Sequence, residues 1–248
     1  MYINDINILH YLAIGLVGLI VGQLVDWCNT RMIEHKKILS KDFFTMYLKN
    51  LRLKYVYMIV MAVIYVAILY TYGFAIKTIA FCILSPMLVS ALIIDYKERI
   101  IPNRLNLTIF EAGLVYTFVE GTININVAIN MLLGMVVGGG IFFVITLIGG
   151  LIAGKEAMGF GDVKLMGALG LFFGWQTIII ISLIAFLMGA VIGIILIILK
   201  KKTSDDYMPF GPFIVIATFI AIFTPFNVLL WIMLKIFTAG TYKGKLVI

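Results

Sequence analysis

Long apolar runs, separated by short polar turns, make up most of this chain. They do not alternate polar and apolar positions as a half-buried strand does. They have the pattern of helices that cross a bilayer, each of which needs roughly 17–25 apolar residues. The pattern predicts spans at about 8–25, 55–73, 75–94, 105–120, 127–152, 163–175, 177–199 and 210–237. The sixth is short, and its first turn carries Asp162 and Lys164. Such a helix reaches across if its polar end opens into a cavity rather than into lipid. The predicted fold class is all-α: a polytopic membrane helix bundle of about eight transmembrane helices with short cytoplasmic loops, in one domain over 1–248.

Composition agrees. Hydrophobic residues are 63% of the chain, charged residues 12%, and the mean hydropathy is +1.13, whereas soluble domains carry about a quarter charged residues. A net charge of +7 would suit a nucleic-acid binder, but the charges fall in the loops between apolar runs. That points to the lipid bilayer as partner and to no nucleic acid. With the loop 26–54 placed in the cytoplasm, the loops 95–104, 153–164 and 200–209 share its side. Together they hold fifteen of the nineteen Lys and Arg residues. This is the positive-inside bias of a multi-pass protein of the inner, cytoplasmic membrane. Residues 1–30 contain no Lys or Arg and do contain Asp5, so the first run reads as a retained span rather than a cleaved signal. The loop 26–54 is too small to fold as a domain without a staple. Cys28 and Cys82 form no Cys-x-x-Cys pair, His10 and His35 are isolated, and no metal site is expected. Small-xxx-small pairs at Gly134/Gly138, Gly170/Gly174 and Gly189/Gly193 are spaced for close helix contact.

Two acids stand out. Asp95 ends the run 81–94, and Asp162 lies where the glycine-bearing turn Met158-Gly159-Phe160-Gly161 enters the sixth span. An aspartate at the edge of the hydrocarbon is costly unless it faces water or a partner. The plain alternative pairs Asp95 with Lys97 or Arg99, and Asp162 with Lys164. The topology, however, brings both acids to the cytoplasmic face. Two carboxylates within hydrogen-bonding reach cannot both ionise and so share one proton. The ionised member then activates a water, and the protonated member donates to an amide. Gly159 and Gly161 are expected to leave the approach of a substrate strand unblocked, and Pro102 to stop one helix or open the next. Glu111, inside the fourth span, reads as a buried polar partner or an aid to the site.

Asp95 followed by Ile101-Pro102-Asn103, then Gly159-Phe160-Gly161-Asp162-Val163-Lys164, then Pro209-Phe210-Gly211-Pro212-Phe213, resembles the type IV prepilin peptidase family. These are membrane aspartyl proteases of the Gly-x-Gly-Asp class. The resemblance implies Asp95 and Asp162 as the catalytic pair. It implies Gly159, Gly161, Lys164, Pro102, Pro209, Phe210, Gly211 and Pro212 as site-shaping or substrate-binding residues, and cleavage of the basic leader from prepilins or pseudopilins at the cytoplasmic face. It implies no cofactor for proteolysis, and S-adenosylmethionine only if the family's methylation of the new amino terminus is retained. The chain departs from the pattern in two places. It lacks the Cys-x-x-Cys pairs of the first loop, and Lys54-Tyr55-Val56 is followed by Tyr57, Met58, Ile59 and Val60 with no acid. Asp205 and Asp206 offer an attraction for a basic leader. The rival readings are a preflagellin or signal-peptide-peptidase-like protease using the same acids, and a transporter binding a cation between them. The sequence says nothing of oligomeric state.

Overall fold

The computed structural model describes residues 2–4, 6–34, 36, 53–153, 158–200 and 208–238. A two-residue ribbon comes first, β1 (Tyr2–Ile3) pairing antiparallel with β2 (Ile6–Asn7). Then follow α1 (Ile8–Ile33), α2 (Tyr55–Tyr72), α3 (Ile76–Glu98), α4 (Asn103–Ile123), α5 (Ile125–Ala153), α6 (Phe160–Ile198), α7 (Gly211–Phe223) and α8 (Phe226–Phe237). Among the described residues, α1, α2, α3, α5 and α6 contain stretches long and apolar enough to cross a membrane. The chain is an all-α polytopic membrane bundle.

Three predicted boundaries move, each for a physical reason. The first helix runs to Ile33 rather than 25, because its last turns are buried in protein through Asn29, Arg31 and Met32 instead of emerging into a loop. Asp26 is therefore helical, paired with Lys54 at 3.2 Å. Most of the predicted loop 26–54 lies outside the described residues.

The predicted sixth and seventh spans are the two limbs of α6, which breaks at Gly174 (φ 75°, ψ 172°), a conformation essentially reserved for glycine. A Cβ on Gly138 of α5 would stand 2.6 Å from Met166 O and 2.8 Å from Ile178 Cγ1. In a straight helix those two residues would lie ~18 Å apart along the axis. α6 therefore folds back on itself. Its first limb, 160–173, runs antiparallel to α5, and its second, 175–198, returns beside it. The Trp175 N–H donates to Asn130 Oδ1 (3.2 Å) at the turn. The glycine pairs make this packing possible, since the backbones of Gly134 and Gly170 meet where no side chain would fit. The third pair does different work, with Gly189 receiving the ring of Phe210 and Gly193 the end of Met208.

The predicted eighth span is two short helices, broken at Thr224-Pro225, where Pro225 has no N–H to continue α7. α7 buries Phe213, Ile214, Val215, Ala217 and Thr218 and packs between α3 and α6. That position brings its N-terminus to the end of α3. The first limb of α6 rises only ~21 Å, less than the ~30 Å hydrocarbon core. α5 passes the level of Asp162 by about ten residues, a further ~15 Å. The α3–α4 turn and the start of α6 thus form the floor of a notch, with α5 and the second limb of α6 as its tall wall.

Candidate active site

α3 ends because Arg99 takes a left-handed conformation (φ 57°, ψ 31°) and its N–H bonds back to Asp95 O at 2.9 Å. Three residues later Pro102, at the N-cap, opens α4. This tight turn presents Asp95, 2% exposed, to the bundle interior. Asp162 is 3% exposed in the first turn of α6, where helix-end N–H groups favour an acid. Its own N–H bonds to Gly159 O at 3.0 Å. The two carboxylates, sixty-seven positions apart in sequence, lie within electrostatic reach of one another. No ion pair holds either acid among the described residues, so the simple Lys and Arg pairings do not form.

The site-shaping residues gather around them. Gly211 N–H, at the start of α7, donates to Asp95 Oδ2 at 2.8 Å. A Cβ on Gly211 would stand 2.7 Å from that same oxygen, so only glycine allows the approach. Pro212 fills the first turn of α7, where no N–H is needed. Phe210 is wedged among the rings of Phe142, Phe186 and Phe213, at centroid distances of 5.9, 5.1 and 5.7 Å. Pro209, half-buried, leads into that wedge. The Pro209 to Phe213 segment is therefore the anchor that aims a backbone N–H at Asp95.

Gly159 is an ordinary extended N-cap (φ −66°, ψ 136°). Gly161 corrects an expectation. Its Cβ position faces Ile101, 3.2 Å from Ile101 Cβ, so the glycine makes room for the α3–α4 turn rather than for a substrate. Lys164 turns away from Asp162. Its Nζ donates to Asn103 Oδ1 at 2.7 Å and lies 5.3 Å from the centre of the Phe160 ring. Glu111 is exposed, contrary to its reading as a buried partner, because α4 buries the opposite face through Leu105, Ile109, Gly113 and Tyr116. Asp205 and Asp206 lie outside the described residues.

Asn106 was not singled out from sequence. It is 3% exposed, and its Nδ2 donates to Gly161 O at 2.9 Å, tying α4 to the turn that carries Asp162. An amide within an apolar span was the available signal. Its Oδ1 and the Oδ1 of Asp162 are both buried acceptors without a donor among the described residues. A carboxyl proton or a bound water is the kind of donor such a place demands.

Comparison with known proteins points to a family. Residues 82–194, which contain both aspartates, match the family described as the type IV leader peptidase family. Among similar proteins are those named prepilin leader peptidase/N-methyltransferase. The one from Aeromonas hydrophila is 34% identical over 155 residues, covering 62% of this chain and 52% of that protein. The one from Legionella pneumophila is 31% identical over 160 residues, covering 64% and 55%. The one from Pseudomonas aeruginosa is 31% identical over 151 residues, covering 61% and 51%. The chain thus spans about half the length of the relatives it matches. No solved structure gives a significant match.

Proposed function

From the match of residues 82–194 to the type IV leader peptidase family, we propose that the chain is a member of that family and a membrane-embedded aspartic endopeptidase. Its substrates are prepilins or pseudopilins, and it removes their basic leader at the cytoplasmic membrane face. The observation that carries this reading is the convergence of Asp95 and Asp162, from separate helices, in one buried site with a backbone N–H aimed at the first.

Asp95 accepts from Gly211 at the positive end of α7, a setting that favours a negative charge. It serves as the base. As water attacks the amide carbonyl, Asp95 takes the water's proton and Asp162 gives its own to the carbonyl oxygen. The tetrahedral diol then collapses. Asp162 recovers a proton from a diol hydroxyl, Asp95 gives its proton to the leaving nitrogen, and the C–N bond breaks. Both acids return to their starting states. The reaction consumes one water and uses no metal or cofactor.

The cytoplasmic assignment rests on the charges at this end of the bundle, where Lys97, Arg99, Arg104 and Lys200 lie, against Lys77 and Lys235 at the other. The notch gives the leader a low, polar side from which to enter, and bilayer and bundle together orient the scissile bond.

Methyl transfer is not part of the proposal. Tyr57 to Val60 form the first turns of α2, with Ile59 and Val60 exposed and no acid among them. These residues do not fit S-adenosylmethionine, whose sulfonium and amine call for acidic or carbonyl partners.

The test is incubation of the purified, reconstituted protein with a panel of prepilin, preflagellin and unrelated leader peptides, followed by mass measurement. Cleavage of the prepilin immediately before its apolar segment is the expected result. An intact prepilin beside a cleaved preflagellin or signal peptide would move the assignment to the rival proteases. Cation flux without any cleavage would replace it with a transporter.

A further inference from the structure

Two lysines stand at the end of the bundle away from the acids, against the charge bias of the rest of the chain. Lys77 lies in the first turn of α3 and Lys235 in the last turn of α8. Neither has an acidic partner among the described residues. Lys77 shares a pocket with Tyr72, Gly174 and Phe226, so α8 starts at the level of the α3 N-terminus and of the turn within α6. Trp175 follows that turn. Lysine, tyrosine and tryptophan at one level mark a membrane interface.

α8 is two-faced, unlike the spans, which are apolar all round. Leu229 and Met233 are buried against the bundle. Asn227, Trp231 and Lys235 recur at four-residue steps on the opposite side, and the Lys235 ammonium lies 4.0 Å from the centre of the Trp231 ring. Leu230 and Phe237 flank this stripe on one side, Ile232 and Ile236 on the other, and all four are exposed. The helix rises ~18 Å, too little for a ~30 Å hydrocarbon core. It packs on α6 instead of folding back along α7. Were it to run inward from the level of Phe226, Lys235 would lie ~14 Å deeper. Its polar stripe would then face acyl chains, where a charge is expensive.

We propose that α8 lies flat in the membrane interface on the side away from the acids, and that Lys235 binds the phosphate of an acidic phospholipid there. The inference needs the membrane bundle alone and stands apart from the peptidase reading. Laid flat, α8 rests Leu229 and Met233 on the bundle and dips its apolar flanks to the acyl boundary. Asn227, Trp231 and Lys235 stay among the headgroups. An ammonium at that level with no carboxylate beside it finds its counter-charge in a lipid phosphate. An acidic lipid offers that phosphate without a competing ammonium of its own.

The test uses full-length protein in lipid nanodiscs, with Cys28→Ser and Cys82→Ala removing the native thiols. Leu230→Cys and Phe237→Cys, on one face and ~10 Å apart along the axis, carry nitroxide labels. Their accessibility to oxygen and to a nickel chelate should place both at the same depth. A depth difference of most of that rise, in either direction, would overturn the flat placement.

The lipid is read by a bimane on Leu230→Cys, quenched by doxyl-labelled phosphatidylglycerol or phosphatidylcholine at equal mole fraction. Phosphatidylglycerol should be enriched about fivefold, more at low salt than at high salt. Lys235→Glu should remove the preference and Lys235→Arg should keep it, both with the label at unchanged depth. Equal quenching by the two lipids, a preference that survives Lys235→Glu, or one lost in Lys235→Arg would each overturn the lipid assignment.

Discussion

The two aspartates sit in opposite local settings. Asp95 closes a helix, with its carboxylate held from across the bundle by the Gly211 N–H at 2.8 Å and by an α7 N-terminus that admits no side chain there. Asp162 opens a helix. Its turn is held through the backbone, by Asn106 on Gly161 O, while its own Oδ1 has no donor among the described residues. One acid is fixed by a bond to the carboxylate, and the other by bonds to the chain that carries it. Like-charge repulsion leaves such a pair one proton to share, and the difference in setting decides which acid keeps it. This difference suits Asp95 to holding charge and Asp162 to holding the shared proton.

The comparison can be broken most sharply by removing either acid. Asp95→Asn and Asp162→Asn should each lower prepilin cleavage by about 10³-fold or more, with the protein still inserted; a variant retaining near-normal turnover would remove that residue from the pair. Gly211→Ala comes next. It forces a Cβ onto the Asp95 carboxylate and displaces a hydrogen bond to a charged group, so the rate should fall by about 10–100-fold. A rate equal to wild type would show that the bond does not set the charge on Asp95.

A smaller effect is expected on the other acid's side. Asn106→Leu, similar in size but without the amide, should slow cleavage by about tenfold through the Asp162 turn. Asn106→Gln should restore part of the rate, and equal rates for both variants would confine Asn106 to packing. The smallest effect on chemistry belongs to Gly174→Ala. Its strained backbone and the contact with Asn130 at 2.8 Å should cost about 1–3 kcal/mol, read as a lower melting temperature in detergent. Its rate at low temperature should stay near normal, unless the limb that carries Asp162 has shifted.

Much of this was legible in the chain because membrane helices announce themselves by length and apolarity alone. The predicted break between the sixth and seventh spans, at 176, falls two residues beyond the Gly174 turn. The approach of Asp95 and Asp162 was readable as a shared face, since alternation of spans is enough to place both acids at one end. What escaped was everything that depends on which side of a helix meets which neighbour. Uniformly apolar helices carry almost no amphipathic signal, so nothing marked Glu111 as outward, and Asn106 offered only an amide within an apolar span as a sign that it faces inward. The hydropathy of 210–237 also hid the interruption at Pro225, where one missing N–H outweighed twenty-odd apolar side chains. Likewise, Gly161 advertised close approach without naming Ile101 as its cause.

The claim beneath all of this is that two acids distant in sequence occupy one place. Asp95→Cys with Asp162→Cys, in a chain otherwise free of cysteine and kept in native membranes, measures that directly. Mild oxidation or a short bis-thiosulfonate should join the two positions, and the joined form should run as a compact monomer that reductant reverses. Full reactivity of each thiol toward a small reagent, with no bridge formed by either route, would place the residues apart and contradict the account.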